Sequence, residues 1–224
     1  MRINTLRAGI LLLVIIFSGC AGPSLYSIHM YYDAEKAAIP AHLQKSGKPS
    51  GAGIAVAEFS DNRQIDDRNV IGRVIHADGS KYLVFPKTVQ ATKSIPHGIK
   101  KYLNKAGYKV ADKLEQWNLK EGDIPHGDSK LLIGGNIEEL EINCRKGHLT
   151  HSYTGHITLN IYFADMAKGR ILYVGQVASR YTKEGLLFSE NIMGEQADIV
   201  LGDAIEKFFE DKVVVRKLKE ALAE

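Results

Sequence analysis

Cysteine is nearly missing from these 224 residues, with only Cys20 and Cys144 present. If Cys20 is used up near the N-terminus, as argued below, no intramolecular disulfide is available and stability must come from a packed core. Cys144, alone at the end of an apolar strand pattern, reads as a small buried hydrophobe. An excess of one charge is lacking too. Lys and Arg number 29 against 26 Asp and Glu, a net +3, and residues 1–19 hold two of those arginines and no acid, which leaves 27 against 26. So neutral a chain has no basic stripe for nucleic acid. After the first twenty residues there is no second long apolar run, so the remainder is expected to be a water-soluble body. Nucleophile and phosphate-binding signatures are absent as well. There is no Gly-x-Ser-x-Gly elbow. Gly51-Ala52-Gly53 precedes a strand pattern and Gly134-Gly135 lies inside one, so neither is a phosphate loop.

What is present begins at Met1. Arg2 and Arg7 give a positive start, Ile10 to Phe17 an apolar run, and Ser18-Gly19-Cys20 a small-residue close. That order is a secretion signal, and the run is too short for a permanent membrane span. Phe17-Ser18-Gly19-Cys20 resembles the lipobox of bacterial lipoproteins, with Phe where Leu is usual. The resemblance implies cleavage before Cys20 and a diacylglycerol on its thiol. An ordinary cleaved leader and an uncleaved anchor are the alternatives. Residues 1–19 are thus expected to be the signal, 20–51 a lipidated N-terminus and proline-containing tether, and 52–224 a single periplasmic domain. Tyr26, Met30, Tyr31 and Tyr32 are the tether residues able to pack as an irregular segment.

Along the body, Gly53 to Phe59 is apolar without alternation, as in a strand covered on both faces. Val70–Ile75 and Lys81–Phe85 flank Asp78-Gly79-Ser80, a hairpin signal. Ile95, Ile99, Tyr102, Leu103 and Ala106 recur at helical spacing, with Ser94 as the expected cap, Pro96 in the first turn and Gly107 as the stop. A strand follows through Ala111, and Leu114, Trp117 and Leu119 suggest a short helical turn docking near there. In Lys130–Cys144 the apolar parity changes from Leu131, Ile133 and Ile137 to Leu140, Ile142 and Cys144. A bulge near Glu138-Glu139 is the expected remedy, because a one-residue slip exchanges faces. His156–Phe163 alternates cleanly, and Arg170–Tyr181 is its partner across Asp165–Gly169. A final helix starts between Asn191 and Asp198 and runs towards Ala223, with a break expected near Asp211-Lys212. The expected architecture is α+β: a mixed sheet with a C-terminal antiparallel three-strand meander, packed by two main helices.

Chemistry is harder to find. His148, His151 and His156 are the densest histidine group, but no carboxylate or cysteine completes a metal-ligand spacing. Glu138, Glu139 and Glu141 read as the solvent face of a strand. The polar loop with Asp61, Asn62, Arg63, Asp66, Asp67 and Arg68 follows a buried strand, a common place for binding residues, and is the first choice for an interaction surface. No catalytic residue, cofactor or metal is implied.

The order of elements resembles YajG-type bacterial lipoproteins and, more distantly, the periplasmic domains of the curli-secretion lipoprotein CsgG and the lipopolysaccharide-assembly lipoprotein LptE. The resemblance is carried by the lipobox, Phe59-Ser60-Asp61-Asn62-Arg63, Leu103-Asn104-Lys105-Ala106-Gly107-Tyr108, Leu132-Ile133-Gly134-Gly135-Asn136-Ile137, the Phe163–Tyr173 hairpin and the C-terminal helix. The Val70–Phe85 hairpin departs from the simplest version of the pattern. The resemblance implies no reaction. It implies an outer-membrane lipoprotein facing the periplasm, since Ala21 lacks the Asp that retains enterobacterial lipoproteins in the inner membrane. Its expected partners are the membrane, through the lipid on Cys20, and an envelope protein for which it is a noncatalytic accessory subunit in assembly or transport. A binding module for a small amphiphile or glycan is the alternative, and an enzyme ranks third. Cys20→Ser should release the protein from membranes and remove the acyl mass from its mature N-terminus, read by membrane fractionation and mass spectrometry.

Overall fold

The structure, a computed structural model, describes residues 25–45 and 53–223. The signal, Cys20 and residues 46–52 lie outside the described residues. Strand β7 (Ser129–Lys146) is the spine of a nine-stranded sheet. Along one edge it pairs antiparallel with β8 (His151–Asp165) over nearly its full length. Along the other edge it takes three short parallel strands in succession: β2 (Gly53–Ala57), β3 (Ser60–Asp61) and β4 (Gly72–Ile75). Strand β9 (Arg170–Gly185) adds to β8 and completes the expected meander. On the far side β5 (Lys81–Pro86) pairs antiparallel with β4, and β6 (Val110–Glu115) pairs parallel with β2. The result is an α+β fold with a mixed sheet.

The bulge is where the parity change requires it. The β7–β8 register shifts between Ile137 and Glu139, which returns Leu140, Ile142 and Cys144 to the face holding Leu131, Ile133 and Ile137. β2 is buried at all five positions because both of its faces are covered. Ile54 and Val56 face the main core, whereas Ala55 and Ala57 meet a smaller cluster with Trp117, Ile124, Leu132 and Met166. Trp117 is held by Nε1 donating to Lys120 O at 2.9 Å, and the short turn beside it is a 3-10 turn at Glu121–Asp123.

Helix α1 (Ala91–Lys105) begins earlier than its cap signal suggests. Ser94 is buried inside it, and Pro96 lies past the first turn. A proline there costs an intrahelical bond, because it has no N–H for the Thr92 carbonyl. That carbonyl instead accepts from Phe59 N at 3.0 Å. The helix is thereby stitched to the end of β2. Its exit follows the glycine signal, with Gly107 at φ 92, a conformation only glycine adopts freely. The last helical pattern breaks where the sequence weakens, giving α2 (Glu190–Glu210) and α3 (Lys212–Ala223). Asp211 sits between them and accepts from Val213 N at 2.7 Å. The expected break thus divides the final helix, and α1, α2 and α3 pack the sheet. The α2 side chains Met193, Val200, Leu201, Ile205 and Phe208 complete the core against Ile157, Leu159, Ile161 and Phe163 of β8.

The tether reading fails for the described part of 20–51. Strand β1 (Tyr26–Ile28) runs parallel to β5, and Met30, Tyr32, Ala34, Ala37 and Leu43 are buried. The segment threads between α1 and α2. Tyr32 donates to Glu206 at 2.9 Å, Tyr108 donates to Leu43 O at 2.9 Å, and Lys105 donates to Ala37 O at 2.9 Å. Tyr32 passes where Gly202 of α2 leaves room: a Cβ there would lie 2.9 Å from its ring. Proline and polar residues suggested a linker, but spaced aromatic and aliphatic side chains find a groove between helices. Leu43, with no exposed surface, makes the point testable. Leu43→Ala should cost about 2–5 kcal/mol in urea unfolding, whereas a free tether would register no change.

Candidate functional site

The loop chosen from sequence is partly interior. Arg63 is only 4% exposed, and its side chain is fully engaged. Nε donates to Asp61 Oδ1 at 2.9 Å and Nη2 to Asp61 Oδ2 at 2.7 Å, a bidentate pair. Nη1 donates to Val70 O at 2.8 Å and Leu140 O at 3.3 Å, and Nη2 also reaches Arg68 O at 2.5 Å. Asp61 and Arg63 thus hold the loop to β7, and their charges are spent on that task. Asn62, Asp66, Asp67 and Arg68 remain exposed.

Beside this loop, the outer face of the meander forms an open trough of about 590 Å³, lined among others by Arg63, Ile65, Glu139, Glu141, His156 and Arg180. The hairpin register sets Glu141 opposite His156, His156 opposite Arg180 and Glu139 opposite Thr158. His156 Nε2 lies 2.5 Å from Glu139 Oε2, and Arg180 Nε donates to His156 Nδ1 at 3.3 Å. A neutral imidazole with its proton on Nε2 satisfies both contacts. Thr158 Oγ1 donates to the same Glu139 oxygen at 2.8 Å. The hydrogen bonds from His156 and then Thr158 hold the Glu139 carboxyl below its ordinary range. Glu138 accepts from Asn160 at 2.9 Å, and Glu141 accepts from Arg73 at 3.3 Å and Asn143 at 3.2 Å.

These contacts are cross-strand rows on a polar sheet face, each carboxylate answered by a neighbour. A hydroxyl, an imidazole and a carboxylate do meet, yet not in catalytic order. Thr158 and Glu139 both approach Nε2 of His156, and Arg180 occupies Nδ1, where a triad would place its carboxylate. The Cys144 thiol is buried, and desolvation pushes its pKa up, as for a cysteine packed in a core. His148 and His151 do not join His156. Among the described residues no three His, Cys, Asp or Glu side chains converge on a metal-sized site. Reading glutamates and histidines separately misses the Glu139–His156–Arg180 row. Counting back from the turn between β7 and β8 would have aligned Glu141 with His156 and exposed it.

The other conspicuous feature is an edge. Among the described residues β9 pairs only with β8, so its outer edge carries no strand over 16 residues. Val174 and Tyr181 are exposed on it, and near one end Ile171 N is answered by Glu121 Oε1 at 2.8 Å.

No protein-family model matches this chain, and no curated protein matches it in sequence. Solved structures do. A protein of family DUF330 from Xanthomonas campestris superposes over 88% of this chain and 99% of its own, with a TM-score of 0.52 and 12% identity. A putative neuraminyllactose-binding hemagglutinin homologue from Helicobacter pylori covers 86% and 99%, with a TM-score of 0.42 and 10% identity. The lipoprotein GNA1162 from Neisseria meningitidis covers 68% and 96%, with a TM-score of 0.34 and 11% identity. The first likeness shows a shared fold; the weaker two add nothing to the argument.

Removing the Arg63 guanidinium would leave Asp61 and three backbone carbonyls without their buried partner. Arg63→Ala should lose about 3–5 kcal/mol in chemical unfolding. Arg68→Ala, whose side chain is exposed, should stay within about 0.5 kcal/mol.

Proposed function

We propose that this chain is a YajG-type outer-membrane lipoprotein, anchored through lipid on Cys20, whose periplasmic domain is a noncatalytic protein-binding or accessory subunit in envelope assembly or transport. The observation that carries this reading is the open edge of β9. A sheet edge of that length presents unpaired N–H and C=O groups to any extended segment, and natural proteins usually cover or blunt such edges. Val174 and Tyr181 add apolar contact beside it. A small-ligand protein would instead be expected to enclose its ligand in an apolar cavity with a few converging polar groups. The trough is open, and its polar groups already answer one another. Asn62, Asp66, Asp67 and Arg68 offer a partner a second, polar contact across the sheet.

The trough also supports the alternative of a glycan or polar amphiphile laid across the outer face of the meander. Photo-cross-linking separates the two. With a photoreactive residue at Val174 or Tyr181 of the intact lipidated protein, irradiation in the envelope should give one reproducible protein adduct. The same residue at Val213 of α3 should give none. Absence of adducts from β9, together with a glycan or lipid that co-purifies and is displaced by altering Glu141 and Arg180, would transfer the function to the trough.

A further inference from the structure

Four leucines are conspicuously exposed: Leu25 at 64%, Leu149 at 86%, Leu186 at 76% and Leu187 at 77%. They are far apart in sequence, and the sheet gathers them at one end. Leu149 lies in the turn between β7 and β8, where Gly147 N donates to Thr150 O. His151, just after that turn, pairs with Lys146 on one side and Gly185 on the other. Leu186 and Leu187 follow Gly185 directly, and Tyr153 Oη donates to Leu187 O at 2.7 Å. Phe188 comes next and meets Tyr26 at 5.1 Å between ring centroids, and Leu25 precedes Tyr26. Lys146 Nζ sits 3.8 Å from the centre of the Phe188 ring and so ties the two groups together. The leucines therefore ring an aromatic base of Tyr26, Tyr82 and Phe188.

Three observations identify what covers this end. The side chains are large and apolar, yet nothing in the described chain packs on them. Lys81, Arg145, Lys146 and Lys183 stand around them, with Asp78, Glu184 and Glu190 nearby and Lys183 paired to Glu195 at 3.5 Å, so basic side chains are present at this end alongside acids. Finally, Leu25 is five residues from Cys20, so even a fully extended chain reaches no more than about 18 Å. Whatever binds the lipid of Cys20 must lie next to this end of the domain.

We propose that the leucine-bearing end is a membrane-docking face, seating Leu25, Leu149, Leu186 and Leu187 in the interfacial layer of the same bilayer that takes the Cys20 lipid. Apolar side chains enter the boundary between headgroups and acyl chains, and the surrounding lysines and arginine meet anionic headgroups. The inference rests on the lipoprotein reading for its geometry, but it concerns a separate surface.

The test uses full-length protein purified from membranes and reconstituted into vesicles of phosphatidylethanolamine and phosphatidylglycerol, with bromine on a fraction of the acyl chains. Tryptophan is introduced singly as Leu149→Trp, as Leu187→Trp and, on the exposed face of α2, as Ile199→Trp. Emission above the Trp117 background should be quenched for the first two and not for the third. Leu149→Ser/Leu187→Ser should leave the fold intact, because neither side chain packs internally, and should weaken vesicle partitioning of the unacylated protein. Vesicle-bound, acylated protein without quenching at Leu149 and Leu187 would overturn the docking face while leaving the anchor in place. A blue shift without quenching would put the leucines against a second copy and overturn it as well. Protein that carries no acyl mass refutes the lipoprotein reading. In that case vesicle binding with quenching would still support the face, and no binding would remove both.

Discussion

A strand of 18 residues in mid-sheet must have its peptide groups answered on both edges, and β7 meets that demand in an unusual way. β8 answers one edge alone. The other is assembled from β2, β3 and β4, between which the chain departs and returns. In the gap after β3, Asn62 N donates to Ile137 O at 3.0 Å, and before β4, Ile142 N donates to Ile71 O at 2.8 Å. Between them Arg63 takes the place of a strand, its guanidinium reaching Leu140 O at 3.3 Å and Val70 O at 2.8 Å. Burying a guanidinium is costly unless its donors are used and its charge is matched. Here Asp61 matches the charge, and three carbonyls take the donors that Asp61 leaves. The bulge between Ile137 and Glu139 lies within the same gap, so the parity change of β7 and the clamp that bridges it occupy one place.

That coincidence explains what could be read from the sequence. The bulge was legible because the apolar residues of Lys130–Cys144 change parity, and a buried face does not tolerate such a change unless the strand inserts a residue. The meander was legible because Ile157, Leu159, Ile161 and Phe163 alternate without exception. The break at Asp211 showed in the weak helix formers that follow it. The role of Arg63 was not legible. A polar loop with three aspartates and two arginines reads as hydrated, and the contact that buries it lies 77 residues away on β7. Pro96 misplaced the helix start for a related reason: the carbonyl it leaves unpaired is answered from outside the helix, by Phe59 N. Nothing local to the helix reports that donor.

The N-terminal segment misled in the opposite direction. Prolines, lysines and serines made residues 20–51 resemble a spacer, yet Ile28, Met30, Tyr32 and Leu43 are core residues. From Ile28 to Ala34 every second residue is buried, but the exposed Tyr31 between Met30 and Tyr32 hides the alternation, and the segment follows the cleft between α1 and α2 with little regular structure of its own. Among its described residues the strand is three residues long. Burial there depends on the shape of that cleft, including the room left at Gly202, which composition does not reveal.

The packing of this segment changes what an anchor at Cys20 implies. A flexible spacer would let the domain take any orientation beneath a membrane. Here the chain is already paired to β5 at Tyr26, six residues past Cys20, so a lipid carried on Cys20, as proposed, would be joined to the sheet by a short link. With the leucine end against the bilayer, the turns at His76–Ser80 and Gly147–Thr150 face the lipid, and β7, β8 and β9 lead away from it. The open edge of β9 then runs from the membrane outwards, facing sideways. Under the proposed orientation such an edge would be presented to proteins standing beside this one in the same layer. On the two proposals together, the exposed leucines and the unpaired strand would have complementary tasks: one would fix the domain's orientation, and the other would use it.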